Sequence, residues 1–257
     1  MEYTEYFAKY PDAYDKIEAV MDREHTLYDH LQGLGLFDGA PSVLSVGAGS
    51  ALVELRAARE LGLRLGVVEP TEHFYRQFEA GVEKHGLRDR ILESRMETFQ
   101  DYASERRYGL VLFLYSWYSF GLDAAILEKA LACRAPGGAL VIHLTTENSF
   151  PCLIPKAYSQ AAGITLSSEG ISNWARQLGH AHEYAIYDGL VPAETYRKGD
   201  ELTPSGRDMV SYLTATPWED VPIDTRHLSR LILQSCEFEG QSHLTSGTLI
   251  FRDSATP

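Results

Sequence analysis

Two glycines and an acidic residue set 20 positions beyond the second of them carry the first chemical signal in this sequence. Val43-Leu44-Ser45-Val46-Gly47-Ala48-Gly49-Ser50-Ala51 is an apolar run that ends in Gly-x-Gly and opens into a helical pattern, and Val67-Val68-Glu69-Pro70 closes the next apolar run. Glycine lets the backbone turn sharply and approach a bound group closely, because no Cβ intervenes. An acidic side chain at the end of the following strand can accept both hydroxyls of a ribose. Gly47, Ala48, Gly49, Glu69 and Pro70 therefore read as an adenosine-binding set. Taken alone the signal is weak, since many tight strand-to-helix turns use glycine and bind nothing.

The surrounding elements narrow the ligand. A dinucleotide fingerprint needs a third glycine at position 52, where Leu52 stands, and the next glycine is Gly62, so a pyrophosphate cradle is incomplete. Strands expected near 42–47, 64–69, 90–93, 109–115 and 139–144 alternate with helices near 50–61, 72–85 and 123–133. That alternation predicts a parallel sheet with helices on both faces. Ligands of such sheets lie beyond the carboxyl ends of the strands, so Gly47, Glu69, Glu97, Tyr115 and Thr145 are expected to border one crevice. Residues 5–35 are helical in pattern, with Tyr6, Tyr10, Ile17, Val20 and Leu27 at helical intervals and Pro11 interrupting them. Further on, a helix is expected near 169–179, a strand near 183–188 and a helix near 206–213, around a Pro, Gly and Asp rich passage from Pro192 to Gly206. The β-rich run Thr245 to Phe251 is expected to pair antiparallel with the 183–188 strand. The organisation read from this is one structural domain: an N-terminal helical lid (1–40), a ligand-binding core (41–188), an insert capping the crevice (189–244), and a final strand and tail (245–257).

Composition bounds the function class. At 257 residues and 44% hydrophobic, the chain can bury a large core. With 36 acidic against 23 basic residues and a net charge of -13, nucleic acid and anionic membranes would repel it, so neither is expected as a partner. No leading segment joins basic residues to an apolar run, and no apolar stretch is long enough to span a bilayer; a cytoplasmic protein acting on a small molecule is the expectation. Cys133, Cys152 and Cys236 and the nine histidines show no metal-ligand spacing, so no metal is expected.

Downstream, Ala135-Pro136-Gly137-Gly138-Ala139-Leu140-Val141-Ile142-His143-Leu144 is a Pro-Gly-Gly turn feeding an apolar strand about 90 residues after the first glycine. With the two motifs above, this layout resembles the class I S-adenosylmethionine-dependent methyltransferases. The resemblance implies a Rossmann-like α/β fold with a mostly parallel seven-stranded sheet. It implies S-adenosyl-L-methionine as cofactor or substrate, with the glycine loop under its methionine part and Glu69 on its ribose. Glu72 and His73 would then open the helix beneath the adenosine, Glu97 and Thr98 would meet the adenine edge, and Leu114 would complete the set. Ser45 in the first motif, where most class I enzymes carry an acidic residue, together with Glu97-Thr98 and the pair Glu24-His25, resembles the histamine N-methyltransferase-like branch. Two departures set histamine aside as substrate. Tyr115 stands where that branch carries a glutamine, and its final-strand asparagine is missing, with His243 or Leu244 nearby.

What replaces those polar contacts is aromatic: Tyr115, Trp117 and Tyr118, in a chain with 15 tyrosines. Aromatic faces stabilise a sulfonium or ammonium by roughly 0.5–2 kcal/mol each, although Trp117 and Tyr118 read equally well as packing. Methyl transfer from a sulfonium is an in-line displacement that needs alignment and exclusion of water more than a nucleophile. An amine acceptor must lose a proton, which Glu24, His25 or a tyrosine hydroxyl such as that of Tyr115 could assist, and Ser116 is a further catalytic candidate as a polar partner. The leading expectation is methyl transfer to a small amine or hydroxyl acceptor in bacterial secondary metabolism. The alternative is cyclisation of S-adenosylmethionine itself by its α-amine, as in methyltransferase-like azetidine-2-carboxylate synthases, with Asn148 and Ser149 as further polar partners. A noncatalytic adenosyl-ligand-binding protein is the third reading; degenerate relatives usually lose the glycines or the ribose acid, and here Gly47, Gly49 and Glu69 all stand.

Overall fold

Short apolar runs separated by glycine-capped amphipathic segments dictate strand and helix in turn, and the computed structural model shows both. It describes residues 23–158 and 166–253, together with positions 9, 10, 13, 15, 16 and 18. Part of the expected N-terminal lid, including Tyr6, Pro11, Ile17 and Val20, lies outside the described residues. In chain order the helices are α1 (Arg23–Gly33), α2 (Leu52–Leu61), α3 (Glu72–His85), α4 (Ala124–Ala132), α5 (Phe150–Ala157), α6 (Ser168–Gln177), α7 (Pro204–Thr214) and α8 (Ile223–Ser235). The strands are β1 (Ser42–Val46), β2 (Arg64–Val68), β3 (Ile91–Arg95), β4 (Tyr108–Leu114), β5 (Arg134–Thr145), β6 (Glu183–Pro192), β7 (Arg197–Lys198), β8 (Glu201–Leu202), β9 (Glu237–Phe238) and β10 (Gln241–Arg252).

The main sheet runs β3-β2-β1-β4-β5-β10-β6, with the short β9 added on β10. The first five strands are parallel, Val46 standing opposite Val68 and Leu114 opposite His143. β10 runs against β5, the Arg134 guanidinium at the start of β5 donating to the Phe251 carbonyl near the end of β10. This is the expected α/β architecture, with β9 as a strand beyond the expected seven.

The chain forms two compact units, and 145–169 groups with 186–246 in the second of them, not with the 41–144 segment beside it in sequence. The first unit comprises 23–144, 170–185 and 247–257. Its core joins Val43, Leu65, Val67, Leu110, Leu112 and Val141 of the sheet to Leu27, Leu31 and Phe78 of the helices. Along α3, Phe74, Phe78 and Val82 recur every four residues and are buried, each contributing roughly 1.5–3 kcal/mol relative to exposure. Helix ends follow local chemistry: the Asp123 carboxylate accepts the Ala125 and Ile126 amides at the start of α4, and Gly62 and Gly86 take left-handed conformations after α2 and α3.

In the second unit, α7 begins at Pro204 behind Thr203, whose hydroxyl accepts the Gly206 amide. Arg197 of β7 and Glu237 of β9 form a two-pronged ion pair at 2.8 and 2.6 Å. Helices α5 and α8 went unexpected from sequence. Pro151 and Pro155 disguise α5, and α8 buries Thr225, Ser229 and Leu233 while exposing Ile223, Leu228 and Leu231, inverting the apolar pattern that reveals a helix. Among the described residues no helix is long and apolar enough to cross a membrane.

One polar knot braces the sheet edge of the first unit. Glu93 of β3 accepts the hydroxyls of Tyr102 (2.8 Å), Ser104 (3.1 Å) and Tyr108. Burial pushes this carboxyl up, but the three donors outweigh it and hold it below the usual range, while the Tyr102 phenol is pushed up to about 12, first by burial and then by Glu93. Gly66 of β2 makes room for the Tyr108 hydroxyl, which a Cβ there would strike. Gly66→Ala is expected to lower unfolding stability by about 1–3 kcal/mol in urea denaturation, through overpacking against Tyr108.

Candidate ligand site at the strand ends

Beyond β1 the backbone enters the left-handed region three times, at Gly47 (φ 62°), Gly49 (φ 58°) and Ala51 (φ 55°). This zigzag turns the chain into α2. The Gly47 amide donates to the Val68 carbonyl at 2.8 Å, extending the β1–β2 ladder by one bond. A Cβ on Gly47 would lie 2.5 Å from the Ser116 Cβ, so glycine is required here both for its conformation and for its lack of a side chain. Ser116 Oγ donates to the Val46 carbonyl at 2.6 Å and fastens the end of β4 to the end of β1. Ala48 is half-buried against the core.

Glu69, immediately after β2, is only 4% exposed. Its Oε2 accepts the Gly49 amide at 2.9 Å and its Oε1 the Thr71 amide at 2.8 Å. Burial raises its pKa, and the two backbone donors with the Thr71 hydroxyl offset that rise in part. Among the described residues no cation pairs with it. The Thr71 hydroxyl is a third donor, and the carboxylate keeps acceptor capacity for a ribose hydroxyl. Ser45, read from sequence as standing in place of an acid, donates to the buried Glu54 carboxylate at 2.5 Å; α2 supplies the acidic group beside that position.

Tyr115, immediately after β4, is in the left-handed region (φ 53°), unusual for a bulky aromatic residue and associated with functional sites. Its amide donates to the His143 carbonyl at 2.9 Å, and its hydroxyl meets His143 Nε2 at 3.1 Å. The two rings sit edge to face with centroids 4.8 Å apart. His143 Nδ1 lies 2.8 Å from Thr248 Oγ1, which lies 3.0 Å from His30 Nε2. His143, Thr248 and His30 were missed from sequence. The available signal was one histidine inside the apolar run Leu140-Val141-Ile142-His143-Leu144.

The other candidates fall in several places. Leu114 is half-buried at the end of β4, opposite His143, and Pro70 is exposed next to Glu69. Thr98 donates to the Asp101 carboxylate at 2.7 Å and accepts the Asp101 amide at 3.2 Å, while Glu97 is half-buried beside it. Glu24 is not brought to the glycine turn. It faces Arg59 (3.9 Å) in the last turn of α2, a helix about 15 Å long whose first turn follows Gly49. Glu24 and His25 offer their carbonyls to Arg56. Glu72 is exposed and paired with Arg76, and the His73 ring meets Gln77 at 3.2 Å. Trp117 is fully buried among Phe113 and Phe120 and donates to the Gly121 carbonyl at 3.0 Å, so it is packing; Tyr118 is half-buried. Thr145, Asn148 and Ser149 belong to the second unit, where Thr145 Oγ1 lies 3.1 Å from Cys152 Sγ, Ser149 precedes α5, and His243 pairs with Asp188 at 2.7 Å.

Solved structures share this architecture. An O-methyltransferase family protein from Burkholderia thailandensis matches 93% of this chain at 14% identity and a TM-score of 0.55; the chain spans 59% of that protein's length. A methyltransferase described as putative, from Bacillus halodurans, matches 88% of this chain and 97% of its own at 13% identity and a TM-score of 0.61. A SAM-dependent methyltransferase from Thiobacillus denitrificans, solved with S-adenosyl-L-homocysteine, matches 93% of this chain and 98% of its own at 17% identity and a TM-score of 0.52. The fold is that of the class I S-adenosylmethionine-dependent methyltransferases. No family model and no curated protein sequence matches the chain.

The contact between Gly47 and Ser116 yields a double-mutant test. Gly47→Ala is expected to cost about 1–3 kcal/mol of stability from the left-handed backbone and the collision. Adding Ser116→Gly is expected to recover at least about 0.5 kcal/mol of that loss, read as non-additivity in thermal or urea unfolding.

Proposed function

We propose that this chain binds S-adenosyl-L-methionine across Gly47, Ala48, Gly49 and Glu69 and transfers its methyl group to a small-molecule amine or hydroxyl. The observation that carries this reading is Glu69: a buried carboxylate that no cation pairs with among the described residues, tied by one oxygen to the glycine turn and retaining acceptor capacity for a ribose hydroxyl. The Thiobacillus protein of the same fold was solved with S-adenosyl-L-homocysteine, the product of such a transfer.

In the reaction, the acceptor's lone pair forms a bond to the methyl carbon while the carbon–sulfur pair passes to sulfur, and the acceptor sheds a proton. The glycine turn and Glu69 hold the ligand, and the closely fastened ends of β1 and β4 fix where its sulfonium lies. Tyr115 is the residue for the acceptor proton, since its hydroxyl is joined to a hydrogen-bonded imidazole. The same strained tyrosine, standing where the histamine branch carries glutamine, favours a second reading. If no acceptor enters, the ligand's own α-amine attacks its γ-carbon, breaking that carbon–sulfur bond and giving azetidine-2-carboxylate, methylthioadenosine and a proton. A fold by itself does not choose between the two reactions.

Incubation with S-adenosylmethionine alone, followed by chromatography and mass spectrometry, separates them. Methylthioadenosine with a four-membered amino acid establishes the cyclase, whereas intact bound ligand and S-adenosylhomocysteine on adding an amine or phenol establish the transferase. Absence of ligand binding in calorimetry overturns both. Glu69→Gln is expected to weaken binding by about 1.5–3 kcal/mol, roughly 10–150-fold. Ribose donors favour the ionised carboxylate, so affinity in the unaltered chain is full above the raised Glu69 pKa and falls as pH drops through it. As pH falls toward the ordinary carboxylate range, binding should weaken in the unaltered chain and stay flatter in Glu69→Gln.

A further inference from the structure

His143 is completely buried in the apolar centre of β5, yet hydroxyls occupy both its ring nitrogens, Tyr115 on Nε2 and Thr248 on Nδ1. Thr248 is equally buried, and its single oxygen meets a second imidazole, His30 of α1. The four side chains come from the residue after β4 and from β5, β10 and α1, separated by as many as 218 positions in sequence, and all belong to the first unit.

The donor count permits two arrangements. A hydroxyl has one hydrogen to give, and a neutral imidazole has one donor and one acceptor nitrogen. If Thr248 donates to His30, His143 Nδ1–H must donate to Thr248, and Nε2 then accepts from Tyr115. If His30 donates to Thr248, the hydroxyl turns to His143 Nδ1, and Nε2–H donates to the tyrosine oxygen. Each arrangement satisfies all three contacts, and one becomes the other when every member passes on one proton. A purely structural histidine needs one fixed tautomer; this chain of contacts accommodates both.

We propose that Tyr115, His143, Thr248 and His30 form a proton wire that carries the proton released by the nucleophile at the strand-end site to His30. The inference rests on the reading of that site as one of S-adenosylmethionine chemistry. As the nucleophile's N–H or O–H proton passes to the Tyr115 oxygen, the phenolic proton moves to His143 Nε2. The Nδ1 proton of His143 moves to Thr248, and the threonine proton moves to His30 Nε2. Only His30 gains charge, and no phenolate or buried imidazolium forms at His143. His30 is half-buried, and burial lowers its pKa, so it hands the proton on instead of retaining it. Tyr115 meets the nucleophile; His143, Thr248 and His30 act through it.

Thr248→Val keeps the shape and deletes the one oxygen that links the two imidazoles, Thr248→Ser restores it, and His30→Asn cuts the outer end at a less buried position. The unaltered chain and the three variants would be compared for S-adenosylmethionine affinity by calorimetry, for kcat and KM in the assay above, and for the dependence of kcat on deuterium fraction in the solvent. The expected result is affinity and KM within twofold throughout. kcat should fall at least about tenfold in Thr248→Val and His30→Asn and recover in Thr248→Ser. The curved deuterium dependence of a several-proton transfer should become linear in the two impaired variants. Unchanged kcat in Thr248→Val or His30→Asn, or a linear dependence in the unaltered chain, overturns the wire while ligand binding stands. Loss of binding in the unaltered chain overturns the wire together with the reading beneath it.

Discussion

Where β1 meets β4, the Gly47 backbone runs so close to Ser116 that a methyl group would not fit between them. This approach draws the strand ends together and lets Ser116 reach the Val46 carbonyl. With β1 placed, the Gly47 amide prolongs its ladder to β2, and Glu69 one residue beyond receives the Gly49 amide. The glycine turn, the acid and the tyrosine turn at the end of β4 thus occupy one rim of the sheet through a chain of backbone and side-chain contacts.

Three acidic residues of the first unit show how the same physics yields different outcomes. Glu93 collects three hydroxyl donors and is held below the usual carboxylate range, a role internal to the sheet. Glu54 is buried against Ser45. Glu69 has two backbone amides and the Thr71 hydroxyl yet an elevated pKa, so its charge is less compensated than that of Glu93. A buried carboxylate in that state gains most from added donors, which is why it defines the ligand end of the sheet. The polar series through Tyr115 and His143 lies along the neighbouring strands, where a hydroxyl ligand to an imidazole is costly to bury unless every donor and acceptor is matched.

The alternation of strands and helices, the glycine turn and Glu69 were legible from residue order, because each depends on neighbours within one strand-turn-helix step. The two proline-bearing turns of α5 and the inside-out pattern of α8 were not, since both break the local rules that identify a helix. Glu24 was placed by its motif beside the site, and its own contacts put it at the far end of α2. Trp117 read equally as ligand face or packing, and its surroundings make it packing.

By itself the sequence determined that the first strands form a parallel sheet, the site of the sharp turn and the acid that follows the next strand, since periodicity and glycine spacing act over a few residues. Tertiary structure alone decided that Thr248 stands between His143 and His30, that Ser116 closes on Gly47, and that residues 145–169 group with 186–246. These depend on strand order and on the antiparallel return of β10, which bring together side chains more than a hundred positions apart that no local pattern links.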